Sequence, residues 1–412
     1  MNISLSYPEE KPLNGVLDIT GSKSQSNRLL TLLKLFDLDL RLNNLSTSDD
    51  TNVLIKALET SRGIVDVQHA GTSMRFLTSY FALKAKDALI LTGSKRMQQR
   101  PISILVDALN SMGANISYKN KKGFPPLEIR PVDQWDSKVS LQANTSSQYI
   151  SSLMLIGGYL KNGLEIQLIG KVTSRPYILL TQYTLESIGI KSTFVNNKIK
   201  IWPFNKSQVE YLNIESDWSS ASYHYSLMAL SKHSESELKL SSFYQKSIQG
   251  DSHVARIYTQ LGVHTLFNDG QIVLTKRKEK KGFNHTMELN LSDTPDLAQT
   301  IAVTCFGLKI GCHLKGLHTL KIKETDRLEA LKTELSKLGA QIEVNENSLK
   351  LSPRTIPIHR HVAIDTYDDH RMAMAFATLG ILVPIRINDV KVVSKSYPQY
   401  WTDIQKLQFE MA

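Results

Sequence analysis

Arg327-Leu-Glu-Ala-Leu-Lys-Thr-Glu-Leu-Ser-Lys-Leu-Gly-Ala340 holds the plan of the whole chain in fourteen residues. Leu328, Leu331, Leu335 and Leu338 fall on one face of a helix. Gly339 then stops it, because glycine takes the left-handed conformation past a helix end without a Cβ clash. The same ending recurs as Met112-Gly113-Ala114, Ile188-Gly189-Ile190 and Leu261-Gly262-Val263, and the intervals between the four glycines are 76, 73 and 77 residues. One such glycine means little, but four at nearly equal spacing predict an internal repeat of about 75 residues. Each repeat carries strands and at least one helix, so the expected class is mixed α/β. A second helix with one apolar face is read after Pro101, through Ile102, Leu105, Val106, Leu109 and Met112. Pro101, Pro176 and Pro295 are each expected at a first helical position, where the missing N–H costs nothing.

What stands at the helix starts is chemical. Gly21-Ser22-Lys23-Ser24-Gln25-Ser26-Asn27-Arg28 places two cations and three hydroxyls just before an apolar helical run. Unpaired N–H groups and the partial positive charge of a helix N-terminus favour an anion there. The stretch is not the common nucleotide-binding loop, since no glycine stands at the required upstream position. Other helices follow Arg96 to Arg100, Ser146-Ser147-Gln148, Ser174-Arg175, Asp217-Trp218-Ser219-Ser220, Lys323 to Arg327 and Asp369-His370-Arg371. Ser and Asp at such places are ordinary caps. Arg28, Arg100, Arg327 and Arg371 are not explained by capping, because a cation at a helix start opposes the macrodipole. An anion between the arginines would remove the penalty, so a polyanionic ligand is expected.

Composition fits this reading. At 412 residues the chain is expected to hold two domains. Its 41% apolar and 21% charged residues exclude a disordered protein. The net charge of +10 suits either a nucleic-acid surface or a site for acidic small molecules. No run of five basic residues supports the first; Lys276-Arg277-Lys278-Glu279-Lys280-Lys281 is interrupted by Glu279 and reads as a solvated loop. Cys305 and Cys312 form no CxxC pair and are expected as reduced, packed thiols rather than metal ligands. The near-apolar run Met372–Ile385 contains Gly380 and Pro384 and is shorter than the ~20 residues of a membrane helix. The first residues carry no apolar signal core, so a soluble cytoplasmic protein is expected.

Taken together, these segments resemble the 5-enolpyruvylshikimate-3-phosphate synthase family of aromatic amino-acid biosynthesis. They are Gly21–Arg28, Ser48-Asp49-Asp50-Thr51, Ala70-Gly71-Thr72-Ser73-Met74-Arg75, Leu91-Thr92-Gly93 through Ile102, Ser146-Ser147-Gln148 and Ser174-Arg175-Pro176-Tyr177. Ser219 to Tyr223, Pro295-Asp296, Lys323-Glu324-Thr325-Asp326-Arg327, Asp369 to Met374 and Lys395 complete the set, in family order across essentially the whole chain. The resemblance implies an enolpyruvyl transferase fold, α/β, with two domains of three βαβαββ units each around buried helices. It implies a discontinuous first domain, 1–20 plus 215–412, a second domain, 21–214, and ligands bound between them. The implied reaction moves the enolpyruvyl group of phosphoenolpyruvate to the 5-hydroxyl of shikimate 3-phosphate, by addition and elimination, with release of phosphate. Those two small molecules are the expected partners. A monomer is expected, without nucleic acid, membrane, cofactor or metal.

By the same resemblance Lys23, Ser24, Arg28, Ser146, Ser147, Gln148, Ser174, Tyr177, Asp296 and Lys323 match positions that hold shikimate 3-phosphate, and Thr319 stands where the family usually has Asn. Lys23, Gly71, Arg100, Gln148, Arg327, Arg371 and Lys395 match those that hold phosphoenolpyruvate. Asp296 is the expected base for the 5-hydroxyl; Glu324 is the expected proton donor to the methylene carbon, assisted by Lys23. The residue types suit the chemistry, since arginine offers a planar, permanently charged fork to carboxylate or phosphate and Gly71 lets a group approach the backbone closely. Two further departures, His69 for Asn and Phe76 for Pro, bear on affinity and on glyphosate-type inhibitors rather than on reaction class. The sister transferase acting on UDP-N-acetylglucosamine usually carries a reactive Cys in the segment Ser94 to Arg100, and this chain has none there. A non-catalytic anion-binding protein on the same scaffold would have lost the carboxylates Asp296 and Glu324, and both are present.

Overall fold

The computed structural model describes residues 1–143, 146–276 and 286–412. Arg277 to Lys281 of the basic run therefore lie outside the described residues. The chain forms two compact units, one of Met1–Thr20 with Glu215–Ala412 and one of Gly21–Ile214. Each has its own apolar core.

Among the described residues, twelve α-helices alternate between inner and outer positions. In the 21–214 unit they are α1 (Lys23–Phe36), α2 (Asp49–Leu58), α3 (Gly71–Lys84), α4 (Ser103–Ser111), α5 (Ser147–Gly157) and α6 (Arg175–Ser187). In the other they are α7 (Trp218–Leu230), α8 (Val254–Thr259), α9 (Ala298–Gly307), α10 (Arg327–Lys337), α11 (His370–Ala377) and α12 (Tyr400–Lys406). The odd-numbered helices are the inner ones; α9 and α11 are buried along their whole lengths. Their sequences, AQTIAVTCFG and HRMAMAFA, are apolar on nearly every side, as a fully enclosed helix requires. Several polar residues of the inner helices are small and pair with each other. Ser226 of α7 bonds Thr304 of α9 at 2.7 Å and Thr378 at 3.0 Å, and Ser79 of α3 bonds Ser152 of α5 at 2.7 Å.

The outer helices carry the repeat. Gly113, Gly189, Gly262 and Gly339 follow α4, α6, α8 and α10, and all four have positive φ, between +82° and +108°. After three of them the next amide reaches back to close the helix: Ala114 to Leu109, Ile190 to Leu185 and Ala340 to Leu335, at 2.9 to 3.0 Å. α12 ends in the same way, with Phe409 N bonded to Ile404 O, but Gln408 takes the left-handed position at φ +67°. That turn escaped the glycine pattern because glutamine holds it at a conformational cost rather than by preference. The apolar face read after Pro101 is fully buried at all five positions. The helix itself begins two residues later than expected, at Ser103. The Pro101 carbonyl is taken by Arg75 and by the Tyr149 hydroxyl instead of by the helix.

The strands gather into small sheets, some of which join distant parts of the chain. The larger unit has three four-stranded sheets among the described residues. The N-terminal residues complete two of them: Ile3–Ser6 pairs with Ile385–Ile387 and Glu410–Met411, and Asn14–Leu17 pairs with Glu237–Ser241. The 21–214 unit has two four-stranded sheets and a third of only two strands, Arg41–Asn43 parallel to Tyr211–Asn213. The result is that the inner helices α7, α9 and α11 enter with Asp217, the Pro295–Leu297 turn and Asp369 at their starts. Both cysteines are free and buried, as expected.

One inner residue runs against its surroundings. Gln299 of α9 is fully buried, and neither of its amide atoms has a hydrogen-bond partner among the described residues. An unsatisfied buried polar group costs about 1–3 kcal/mol. Gln299→Met keeps the length of the side chain and removes that cost, so unfolding in urea is expected to show a gain of about 1 kcal/mol or more. A loss would mean that the amide has a partner in solution.

Candidate active site

In the 21–214 unit the candidate residues gather at the starts of α1, α3, α5 and α6. Ser22 caps α1 by accepting from Gln25 N. Lys23, the first residue of α1, extends its ammonium to Asp50 Oδ2 at 3.0 Å. Asp50 is the second residue of α2 and is itself buried; Ser48 caps that helix, and Ser73 of α3 donates to the Asp50 carbonyl at 3.2 Å. Beneath them runs a buried chain of hydroxyls, Ser46 to Ser48 at 3.0 Å, Ser48 to Thr51 at 2.9 Å and Thr51 to Asn27 Oδ1 at 2.8 Å.

Arg28 is buried and bonded on every side by neutral groups. Nε donates to Thr181 Oγ1 at 2.7 Å, Nη1 to Ser24 O at 2.7 Å, and Nη2 to Ser151 Oγ at 3.1 Å and Tyr177 O at 3.3 Å. Phe76 stands 5.3 Å from the guanidinium carbon, over its ring face. Burial pulls the Arg28 pKa down to about 10. Its hydrogen bonds join α1, α5 and α6, so Arg28 is a structural centre of this unit as well as a candidate ligand group.

Ser146 caps α5 by accepting from Gln148 N at 3.3 Å, and Ser147 is the first helical residue. Gln148 donates to Thr72 Oγ1 at 3.2 Å, tying α5 to the first turn of α3. Ser174 precedes α6 with φ +52° and makes no side-chain cap. The Arg100 guanidinium lies against Gly71: a Cβ there would meet Nη1 at 2.5 Å and Cζ at 3.0 Å. Arg75 and Tyr149 hold the adjoining Pro101 carbonyl at 2.9 and 2.5 Å. His69 is exposed and bonds Ser94 through Nδ1 at 3.1 Å, and Ser94 accepts from Met97 N. Its visible work is to tie down the loop that leads to Arg100.

In the larger unit Asp296, Lys323, Glu324, Arg327, Arg371 and Lys395 form one ionic cluster. Arg327, first residue of α10, is 2% exposed and touches three carboxylates. Nε meets Asp369 at 2.6 Å, Nη1 meets Asp296 at 2.9 Å, and Nη2 meets Glu324 at 3.0 Å. Burial alone would lower its pKa; the carboxylates overcome that and raise it. Lys395 approaches the other oxygen of Glu324 at 2.9 Å. Asp296 further accepts from Arg371 Nη2 at 3.2 Å, with Lys323 at 3.5 Å. Burial raises the Asp296 pKa, but Arg371, Lys323 and Arg327 outweigh it and hold the carboxyl well below the usual range. Thr319, on the turn just before, has a buried hydroxyl oxygen without a hydrogen-bond partner among the described residues.

This geometry corrects one inference. The penalty of arginine at a helix start does not by itself demand a ligand anion at Arg327 and Arg371. Asp296, Glu324 and Asp369 already stand among these cations. Four participants were not among the expected site residues: Asp50, Asp369, and the pair Asp251–Ser219 beside Arg371. Asp50 and Asp369 lie in segments already singled out, but their partners are 27 and 42 residues away, and no local spacing reveals such pairings. Asp251 lies in a turn that carries no local signal. Among the described residues no group of His, Cys, Asp and Glu has the arrangement of a metal site, and no helix is long and apolar enough to cross a membrane.

The fold is that of the enolpyruvyl transferases. An EPSP synthase from Acinetobacter baumannii superposes with a TM-score of 0.76 at 20% identity, covering 100% of this chain and 99% of that one. An enolpyruvyl transferase from Streptomyces tendae does so with 0.73 at 12% identity, covering 100% and 98%. The family model for EPSP synthase (3-phosphoshikimate 1-carboxyvinyltransferase) matches residues 54–404. A 3-phosphoshikimate 1-carboxyvinyltransferase from Bacteroides fragilis is 42% identical over 99% of this chain and 98% of its own length. One from Vibrio cholerae is 32% identical over 98% and 99%. The chain belongs to the EPSP synthase family and is a transferase.

Proposed function

We infer that this chain carries out the reaction of its family, transferring the enolpyruvyl group of phosphoenolpyruvate to the 5-hydroxyl of shikimate 3-phosphate and releasing phosphate. The supporting observation is the cluster of the larger unit, in which two carboxylates suited to proton transfer, Asp296 and Glu324, are interleaved with four cations. Addition needs a proton at the methylene carbon, a base at the attacking hydroxyl, and fixed positive charge for the anionic groups. Glu324 supplies the first, Asp296 the second, and Arg327, Arg371 and Lys395 the third. Lys23, Gly71, Arg100 and Gln148 also serve phosphoenolpyruvate. Lys23, Ser24, Arg28, Ser146, Ser147, Gln148, Ser174 and Tyr177, with Lys323 and Thr319, serve shikimate 3-phosphate.

Asp296 as it stands is a weak base, because three cations stabilise its charge. Phosphoenolpyruvate resolves this: its carboxylate and phosphate compete for Arg327 and Arg371, and each cation drawn from Asp296 raises the basicity of that carboxylate. The base is thus strengthened by arrival of the substrate that needs it. The enzyme works as a monomer in the cytoplasm, without a membrane or nucleic-acid partner.

A phosphate-release assay with phosphoenolpyruvate, with and without shikimate 3-phosphate, tests the reaction. Release that requires both substrates is expected, and release without shikimate 3-phosphate, or none with it, would overturn the reading. Gly71→Ala tests the donor subsite. The new methyl would meet the far end of the Arg100 side chain rather than backbone. A stability loss of no more than about 1 kcal/mol is therefore expected, the low end of the cost of overpacking. The displaced guanidinium should raise the KM for phosphoenolpyruvate about tenfold, the value of one charged hydrogen bond. An unchanged KM would remove Arg100 from the site.

A further inference from the structure

The nitrogen by which Arg371 meets Asp296, Nη2, has a second partner that lies outside the ionic cluster. It donates to Ser219 Oγ at 3.2 Å, and Ser219 Oγ in turn donates to Asp251 Oδ2. Ser219 is the second residue of α7, and Asp251 lies on the short turn Gly250–His253. Asp251 is 4% exposed, a depth at which a carboxylate is rarely found without a fixed partner. The two elements are bolted together next to this pair. Gln249 accepts from Trp218 N at 3.1 Å and donates to Ser216 O at 2.8 Å and to the buried Glu215 at 3.0 Å.

The order of donors follows from the chemistry of the groups. A serine has one proton, an ionised carboxylate only accepts, and a guanidinium only donates. With its proton given to Asp251, Ser219 turns a lone pair to Arg371. Without the carboxylate the hydroxyl could rotate and point its proton at the cation.

We propose that Asp251 and Ser219 are positioning residues for the donor subsite: the carboxylate fixes the direction of the hydroxyl, and the hydroxyl fixes the Arg371 guanidinium in the orientation that receives the anionic substrate. This rests on the reading of Arg371 as a phosphoenolpyruvate group. Neither residue takes part in proton transfer, so the effect falls on substrate affinity rather than turnover.

Steady-state kinetics of Ser219→Ala, Asp251→Asn and the double variant test it. Each single change is expected to raise the KM for phosphoenolpyruvate about tenfold, the value of one charged hydrogen bond. The KM for shikimate 3-phosphate and kcat should stay within about twofold, and the double variant should match the singles, because links of one chain are not additive. Ser219→Thr keeps the hydroxyl and should restore the parental KM. Equal increases in both KM values, or multiplied effects in the double variant, would overturn the proposal. If Asp251→Asn does not fold, the contrast between Ser219→Ala and Ser219→Thr decides alone. Arg371→Lys separates the two levels. A parental KM in that variant overturns the reading of Arg371 itself. A raised KM there, with parental values in Ser219→Ala and Asp251→Asn, overturns only the positioning role.

Discussion

Glu324→Gln is expected to lower kcat by ~10²- to 10⁴-fold, the range for loss of a general acid, while both KM values change far less. Glutamine keeps the shape of the side chain and can still accept from one of its two cations, Arg327 at 3.0 Å or Lys395 at 2.9 Å. It cannot deliver a proton to carbon. The charge lost from the cluster makes phosphoenolpyruvate binding slightly tighter, if it changes at all, because one competitor for the cations is gone. A fall in kcat without a rise in KM is the mark of a group that acts only in the transition state. Near-normal turnover would sink the assignment of Glu324, and a large rise in KM with normal kcat would make it a binding residue.

Arg327→Met should have the largest effect on stability. The guanidinium is enclosed and meets Asp296, Glu324 and Asp369. Removing one partner of a buried ionic group costs about 3–5 kcal/mol, because the remaining charges are left in a poor medium. The loss should appear in the unfolding of the larger unit. Its pH dependence gives a second reading. Asp296 has a depressed pKa in the folded chain. Its contribution to stability is present above the unfolded value of about 3.9 and is lost as the pH falls below it. In Arg327→Met that acid-side loss should be smaller, since part of the depression has gone. A variant as stable as the parent, with the same acid profile, would show that Lys323, Arg371 and Lys395 suffice without Arg327.

The two arginine-rich helix starts illustrate how far local reasoning reaches. Position was legible: Arg327 opens α10 and Arg371 is the second residue of α11, as their place before apolar runs implied. Their electrostatic state was not. An arginine at a helix start opposes the macrodipole, and at Arg327 the carboxylates Asp296, Glu324 and Asp369 of the chain itself offset that penalty. Arg28 is the opposite case. Among the described residues its hydrogen bonds all go to neutral groups, and burial lowers its pKa to about 10, so an added anion would be favoured beside it.

The repeat, the outer helices and the chemical character of their starts follow from the sequence alone, because each depends on neighbours within one or two helical turns. Glycine at a left-handed position, an apolar stripe and a capping residue are local facts, and Gly113, Gly189, Gly262 and Gly339 all behave as their spacing foretold. Tertiary structure decided which charges meet: Lys23 with Asp50, Arg327 with Asp369, Arg371 with Ser219 and Asp251. Those pairings join residues tens of positions apart, on helices brought side by side by burial of apolar faces that carry no information about their polar ends. The fold was therefore written in the period of the chain, while the acidity of Asp296 and the orientation of Arg371 come into being only when the helix starts assemble.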